Sequence, residues 1–207
     1  GLFVMLPLIL ASSSGYRRQL LDKLQLAYTW HSPDIDETPQ ADESPEQLVS
    51  RLARQKALAL GERFRANLII GSDQVASLEN RILGKPGSHQ KAVEQLLLMQ
   101  GKTVDFVTGL ALLNSRSGNL QCITDVFRVT FRPLTEVEID NYLLREQPYD
   151  CAGSFKCEGL GVGLFSSMNG TDPNSLVGLP LIQLINLLQQ ENVHLFRDET
   201  NQAPRHC

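Results

Sequence analysis

The stretch "LILASSSGYRRQLLDKL", Leu8 to Leu24, decides how this chain is read. Apolar residues run into three serines and a glycine, and an amphipathic segment follows. A short apolar run bounded by turn residues predicts a buried strand over Leu6 to Ala11, and Leu20, Leu21 and Leu24 predict the inner face of a helix over Arg17 to Leu26. Unpaired N–H groups at a helix start, the helix dipole and serine hydroxyls together make an anion site. Arg17 and Arg18 are electrostatically misplaced on a first helical turn unless an anion neutralises them, and the planar guanidinium fork suits phosphate oxygens. A second reading stays open, in which Ser14 caps the helix and both arginines point into solvent.

Working outward, Tyr28 to His31 reads as a short strand and Ser32 to Pro45 as a polar, acidic, proline-punctuated loop. Ser44 is placed to cap a long helix with Pro45 at its first position and Leu48, Leu52, Ala53 and Leu60 on its apolar stripe. A strand starts at Asn67, its pattern broken by Gly71 and Asp73, and Glu79 to Arg81 reads as a hairpin tip. A helix over Ser88 to Met99 comes next. Two β runs, Thr103 to Leu113 and Leu120 to Arg132, flank the turn "NSRSGN", and a helix covers Thr135 to Glu146. The glycine-rich "AGSFKCEGLGVGLF" leads to a closing helix over Asn174 to Gln190. Strands and helices alternate at first and a long hairpin then intrudes. That order predicts a mixed, twisted α/β sheet with flanking helices and two lobes around a central cleft, not a regular doubly wound fold. Neither GxGxxG nor GxxxxGK[ST] is present, which excludes the usual dinucleotide and P-loop readings.

Composition bounds the function. A 42% hydrophobic, 20% charged chain of 207 residues is of the globular class. Its formal charge of −4 argues against a nucleic-acid partner, so a phosphate group must be met by a local cluster of cations. The apolar opening "GLFVMLPLIL" is too short to span a bilayer and is interrupted by Pro7, so no membrane partner is expected. We read Met5 as the natural start, Gly1 to Val4 as an extension, residues 5–196 as a single domain and 197–207 as a polar tail, and we expect a cytoplasmic protein. Cys122, Cys151, Cys157 and Cys207 show no CxxC spacing and the four histidines form no paired motif, which disfavours a zinc site and a disulfide framework. Cys151 and Cys157 read as small buried hydrophobes.

Asp73, in "IIGSDQV", follows an apolar strand and a glycine, and a carboxylate at a strand end borders the clefts of α/β proteins. There it can hold a magnesium ion or orient a water, or equally act as a turn former. Lys85 lies in "GKP" and Lys56 in the long helix. The acidic loop offers Asp34, Asp36, Glu37, Asp42 and Glu43, mostly surface charges, with a helper carboxylate for a metal among them. A nucleoside triphosphate carries roughly −4, which Arg17, Arg18, Lys56 and Lys85 would match if they converge.

Together these motifs resemble the Maf family of nucleotide pyrophosphatases. The matching residues are Ser12, Ser14, Arg17 and Arg18 in S-x-S-x-x-R-R, then Asp36 and Glu37, "RLAxxKA" (Arg51 to Ala57) and "GSDQ" (Gly71 to Gln74). They continue through "GKP" (Gly84 to Pro86), "FRxLxxxEI" (Phe131 to Ile139), "AGSFKxEG" (Ala152 to Gly159) and "VGLPL" (Val177 to Leu181). Gly15 stands where proline is common. The resemblance implies an inosine-triphosphatase-like fold and cleavage of a nucleoside triphosphate between its α- and β-phosphates with a divalent cation, Mg²⁺ or Mn²⁺. It casts Asp73 as general base and metal ligand, with Lys85 beside it in catalysis. Ser12, Ser14, Arg17, Arg18 and Lys56 are cast as phosphate holders and Glu37 as a second metal ligand. A homodimer is implied by the family alone.

Within that resemblance, Tyr16, Gln74 and Glu158 stand where the nucleobase class is set; members acting on dTTP and UTP carry Arg, Thr and Gln there. Guanine presents adjacent N1–H and N2–H₂ donors, which the Glu158 carboxylate can accept together. Methylation at N7 makes the base cationic, and stacking on Tyr16 would contribute about 0.5–2 kcal/mol. The reading is thus a 7-methyl-GTP pyrophosphatase, with two alternatives. One is a dTTP/UTP or broad house-cleaning pyrophosphatase, and the other a non-catalytic nucleotide-binding regulator of septum formation.

Overall fold

The computed structural model describes residues 5–156 and 158–197. The expected extension over 1–4, Cys157, His206, Cys207 and all of the expected tail except Arg197 lie outside the described residues.

The opening unit forms as a buried strand, β1 (Leu8–Ala11), and a helix, α1 (Gly15–Asp22), capped by Ser14. The helix is shorter at its end than Leu24 and Leu26 suggested, because Gln25 turns the chain at a φ of 56°. β2 (Tyr28–His31) pairs parallel to β1, and β1 pairs parallel to β3 (Leu68–Leu78). Between β2 and β3 runs α2 (Pro45–Arg63), whose Ser44 and Gln47 form a reciprocal cap. β3 turns into β4 (Arg81–Leu83) through Glu79 and Asn80, both left-handed, as a two-residue hairpin requires. After α3 (His89–Met99), β5 (Thr103–Asn114) returns antiparallel to β3 and pairs with β6 (Leu120–Phe131). α4 (Glu136–Glu146) and β7 (Phe165–Asn169) complete the edge. The order is β2-β1-β3-β5-β6-β7, with β4 on β3. It is the mixed α/β sheet the sequence predicted.

β3 corrects one expectation. It is unbroken for 11 residues, so Gly71 and Asp73 are inside the strand. Gly71 is there for close approach: a Cβ on it would lie 2.1 Å from the Ala53 carbonyl oxygen of α2, and one on Gly109 of β5, which pairs with Asp73, 2.2 Å from the Val49 oxygen. The two glycines seat α2 directly on the sheet. Gly71→Ala should therefore destabilise the fold by about 1–3 kcal/mol in urea unfolding, because backbone and not a flexible side chain must move. Gly163→Ala, with open space around the added Cβ, should stay within about 0.5 kcal/mol.

Side chains alternate along the long strands. Leu68 and Ile70 of β3 and Leu110 and Leu112 of β5 face a core with α1 and the last helix, while Ile69 and Ala111 face α2. Farther along, Phe106, Phe131, Phe155 and Phe165 pack edge to face in a second core against α3 and α4. Two apolar ends thus share one sheet, with the cleft between them.

The closing helix is a second correction. It is two helices, α5 (Asn174–Val177) and α6 (Leu181–Gln190). Gly178, at a φ of 122°, and Pro180 break it. Asp172, 1% exposed, fixes the break: its Oδ1 accepts from Asn174 N and Nδ2, and its Oδ2 accepts from Ile182 N at 2.9 Å.

Candidate active site

The cleft opens where β1 stops and β3 runs on. Pairing with β1 ends at Ile70, whereas β3 continues against β5, so Asp73 borders the end of β1, not of its own strand. A hollow of about 420 Å³ lies there, within the size of small-molecule sites.

One wall is the serine turn. Ser12 Oγ accepts from Ser14 N–H at 3.0 Å and Ser14 Oγ accepts from Arg17 N–H at 3.4 Å, so Ser14 is the helix cap. Yet Arg17 does not point into solvent. It lines the cleft, and its Nε donates to the Gly178 carbonyl at 2.9 Å, an acceptor the α5–α6 break supplies. Burial pushes the Arg17 guanidinium down from its ordinary range, with Asp73 and Glu37 pulling the other way. Arg18 is elsewhere. It stacks over Trp30 at 4.0 Å from the ring centroid and is not part of the lining.

At the centre stands Lys56, only 7% exposed. Its Nζ donates to Asp73 Oδ1 at 3.0 Å and the Ser72 carbonyl at 3.3 Å, and pairs with Glu37 Oε1 at 2.8 Å. Three donors meet three acceptors. Lys56 and Glu37 line the hollow, whereas Asp73 is not in the lining and is joined to it by its bond to Lys56. Desolvation works against the charge of Glu37, but the bond from Lys56 and the charges of Lys56, Lys85 and Arg17 outweigh it and hold the carboxyl below its ordinary value. Lys85 lines the same hollow from the β4–α3 loop.

The acidic loop that carries Glu37 is pinned by Arg51 of α2. Arg51 donates to both Glu43 oxygens, at 2.5 and 2.9 Å, and to the Thr38 carbonyl at 3.1 Å. The Arg51 bonds, then the Gln40 N–H, hold the Glu43 carboxyl down to about 2. A carboxyl depressed on folding stabilises above its unfolded value, 4.5, and that contribution is lost as pH falls towards 2. Hydrogen exchange over residues 32–44 should therefore accelerate between those limits, and Arg51→Lys, which loses the fork, should move the onset up towards pH 4.5.

Tyr16, beside Arg17 on α1, lines the same hollow, as do Lys156 and Glu158. The Lys156 ammonium sits 5.9 Å from the Tyr16 ring centroid. Burial raises the Tyr16 phenol, with Lys156 acting against it. Cys151 also lines the hollow and is half-buried, so it is not the fully buried hydrophobe expected. Burial and then the charge of Asp150 push its thiol up to about 11, which keeps it neutral. Gln74 reaches in from β3; its Nε2 donates to the Ser175 and Leu176 carbonyls at 2.6 and 3.3 Å and to Thr108 Oγ1 at 3.2 Å. Three acceptors around one nitrogen settle the amide's orientation and leave Oε1 as its free polar end.

Arg17, Lys56 and Lys85 therefore share one cleft, Arg18 does not, and Lys156 joins as a fourth cation the sequence had not singled out. Its signal was its place as the lysine of "AGSFKxEG", two residues from Glu158. Among the described residues no three His, Cys, Asp or Glu side chains cluster as a ready metal cage, and no helix is long and apolar enough to cross a membrane.

The family profile described as Maf-like protein matches residues 7–191. The chain belongs to the Maf family. This Maf chain is similar to the 7-methyl-GTP pyrophosphatase of Pseudomonas fluorescens (strain Pf0-1), 56% identical over 191 residues that cover 92% of this chain and 100% of that protein. It is equally similar to proteins of the same name from Pseudomonas putida, 56% over 189 residues (91% and 98% of the two chains), and Alcanivorax borkumensis, 56% over 188 residues (91% and 95%). Among solved structures it resembles the Staphylococcus aureus Ham1 protein, with a TM-score of 0.50 at 13% identity over 90% of this chain and 100% of that one. That likeness concerns the fold, and it agrees with the architecture expected from the sequence.

Proposed function

We propose that this Maf chain hydrolyses 7-methyl-GTP between the α- and β-phosphates, giving 7-methyl-GMP and pyrophosphate. The observation that carries the reading is the convergence of Arg17, Lys56 and Lys85, from three separate elements, on a cleft that Tyr16 and Glu158 also line. The cations suit a triphosphate, and an aromatic ring with a carboxylate suits a cationic purine. The names of the relatives point to the same substrate.

Ser12, Ser14 and Arg17 hold phosphate oxygens in this reading. Lys85 meets the charge that develops on the leaving pyrophosphate, and Arg18, stacked on Trp30 away from the cleft, holds no phosphate. Asp73 Oδ1 is tied to Lys56, so the other oxygen, Oδ2, takes the proton from the water that adds to the α-phosphorus as the bond to the bridging oxygen breaks. Glu37 and Asp73 already converge on one cation, the Lys56 ammonium. Two carboxylates completed by phosphate and water oxygens are how Mg²⁺ or Mn²⁺ is ordinarily held beside nucleotides, so this pair fits the cation the family implies. When bound, such an ion supplies charge neutralisation at the phosphates. Tyr16 stacks the base, Glu158 accepts from its N1–H and N2–H₂ edge, and Gln74 Oε1 adds an acceptor. We place the protein in the cytoplasm, as a homodimer with no nucleic-acid or membrane partner.

A panel of 7-methyl-GTP, GTP, UTP and dTTP, scored for pyrophosphate with Mg²⁺ or Mn²⁺, tests this. The highest kcat/KM is expected on 7-methyl-GTP, at about 2- to 30-fold over GTP from cation–π stacking. Glu158→Gln with Gln74→Thr should shift preference towards UTP or dTTP. Binding without turnover would favour the regulator reading, and unchanged selectivity in the double variant would overturn the base assignment.

A further inference from the structure

Two walls of the cleft are carried by segments distant in sequence: the β4–α3 loop with Lys85, and residues 149–158 with Asp150, Cys151, Lys156 and Glu158. Neither is part of a long helix or strand, the second holding a 3-10 turn over Ala152–Ser154, and Lys85 is an exposed side chain between Gly84 and Pro86. Something must fix them relative to each other if one substrate is to touch both.

One side chain of α3 bonds to both. Gln95 Nε2 donates to the Gly84 carbonyl at 2.9 Å, next to Lys85, and Gln95 Oε1 accepts from Ser154 Oγ at 2.5 Å. The amide has two unlike ends and each finds its proper partner, so its orientation is determined. Ser154 is fully buried yet left-handed, at a φ of 65°. A non-glycine residue held there is strained and persists only where its surroundings over-determine it. The bond to Gln95 is part of that surrounding, and it sits two residues before Lys156. The base of α3 adds a second tie between the same segments: Gly87 N–H donates to the Tyr149 carbonyl at 2.9 Å, and His89 bonds the Tyr149 hydroxyl at 2.7 Å and Asp140 at 2.5 Å.

We infer that Gln95 is a positioning residue that sets the register between the phosphate wall and the base wall of the cleft, one amide end serving each. The inference rests on the function proposed above for its kinetic consequences, but not for its structural ones. The two arms separate by substitution. Gln95→Glu keeps an acceptor for Ser154 and loses the donor to Gly84. Ser154→Gly removes the hydroxyl while suiting the positive φ. Gln95→Leu removes both bonds.

The test combines hydrogen exchange with steady-state kinetics on 7-methyl-GTP and UTP, with Tm measured alongside. Gln95→Glu should speed exchange over residues 84–88 alone and lower kcat about tenfold with the 7-methyl-GTP to UTP ratio preserved. Ser154→Gly should speed exchange over 149–156 alone and reduce that ratio about tenfold with kcat preserved. Gln95→Leu should do both. Wild-type exchange in both segments of Gln95→Leu, or kinetic losses that only track Tm with no split between the arms, would overturn the inference. If the unsubstituted protein releases no pyrophosphate from any nucleotide, the proposed function fails by itself, and the exchange pattern still decides for or against the bridge.

Discussion

Asp73→Asn should reduce pyrophosphate release from 7-methyl-GTP by about 10³-fold or more while the protein stays folded. The asparagine side chain has the same shape and retains an oxygen to accept from Lys56 Nζ, now 3.0 Å from Asp73 Oδ1. It cannot take up a proton, and it offers a neutral oxygen where the proposed cation needs an anionic one. Loss of a general base costs about 10²–10⁴-fold, and a weakened metal site adds to it. Stability should change little, because Lys56 keeps Glu37 and the Ser72 carbonyl as partners. Single-turnover pyrophosphate release, with circular dichroism and nucleotide binding as controls, separates the two effects. Activity within tenfold of wild type would remove Asp73 from the chemistry and leave the cleft as a binding site.

How much of this was legible in the sequence differs by element. The β1–α1 turn, the Ser44 cap, the Glu79–Asn80 hairpin and the β5–β6 pair were written locally, in turn and cap residues whose preferences do not depend on tertiary context. β3 was misread because Gly71 looks like a breaker in one dimension. Its reason lies across the layer, in the Ala53 carbonyl that leaves no room for a Cβ. The α5–α6 break was visible as Gly178 and Pro180, but the apolar periodicity of both helices ran through it. Only Asp172, buried and capping both helices, shows why the chain stops and restarts.

The site follows the same division. Convergence of Arg17, Lys56 and Lys85 needed charge counting and a resemblance, since spacing alone places residues on elements and not in a cleft. Arg18 had the same sequence signal as Arg17, and one helical step of about 100° sends it instead to Trp30. Gln95 carried no signal at all, and Ser154 only its place within "AGSFKxEG". A glutamine on a helix face and a serine after a glycine are ordinary residues, and their meaning lies in a contact between positions 59 residues apart.

Lys56→Met should lower turnover by at least about 10²-fold, the scale for removing one preorganised electrostatic partner, and destabilise the protein by about 1–3 kcal/mol at pH 7. Breaking a buried ion pair costs roughly 3–5 kcal/mol. That figure is reduced here because the Glu37 side chain is 58% exposed and can swing into water, while Asp73, at 14%, cannot. The pH dependence is the distinguishing result. In the wild type, Glu37 is held below its ordinary value, since the bond from Lys56 and the cations around it outweigh desolvation. Its contribution is therefore present above pH 4.5 and lost as pH falls. In Lys56→Met that contribution vanishes and two carboxylates face each other across a methyl group. The stability gap in urea unfolding should thus be widest near neutrality and narrow below about pH 4.5, where protonation of Glu37 relieves the repulsion. Adding Glu37→Gln should recover part of the stability at pH 7 and none of the turnover, because a neutral amide removes the repulsion without restoring the cation. A gap that stays constant between pH 7 and pH 4 would mean that Lys56 acts through packing of its stem, and the electrostatic account of the cleft would fall with it.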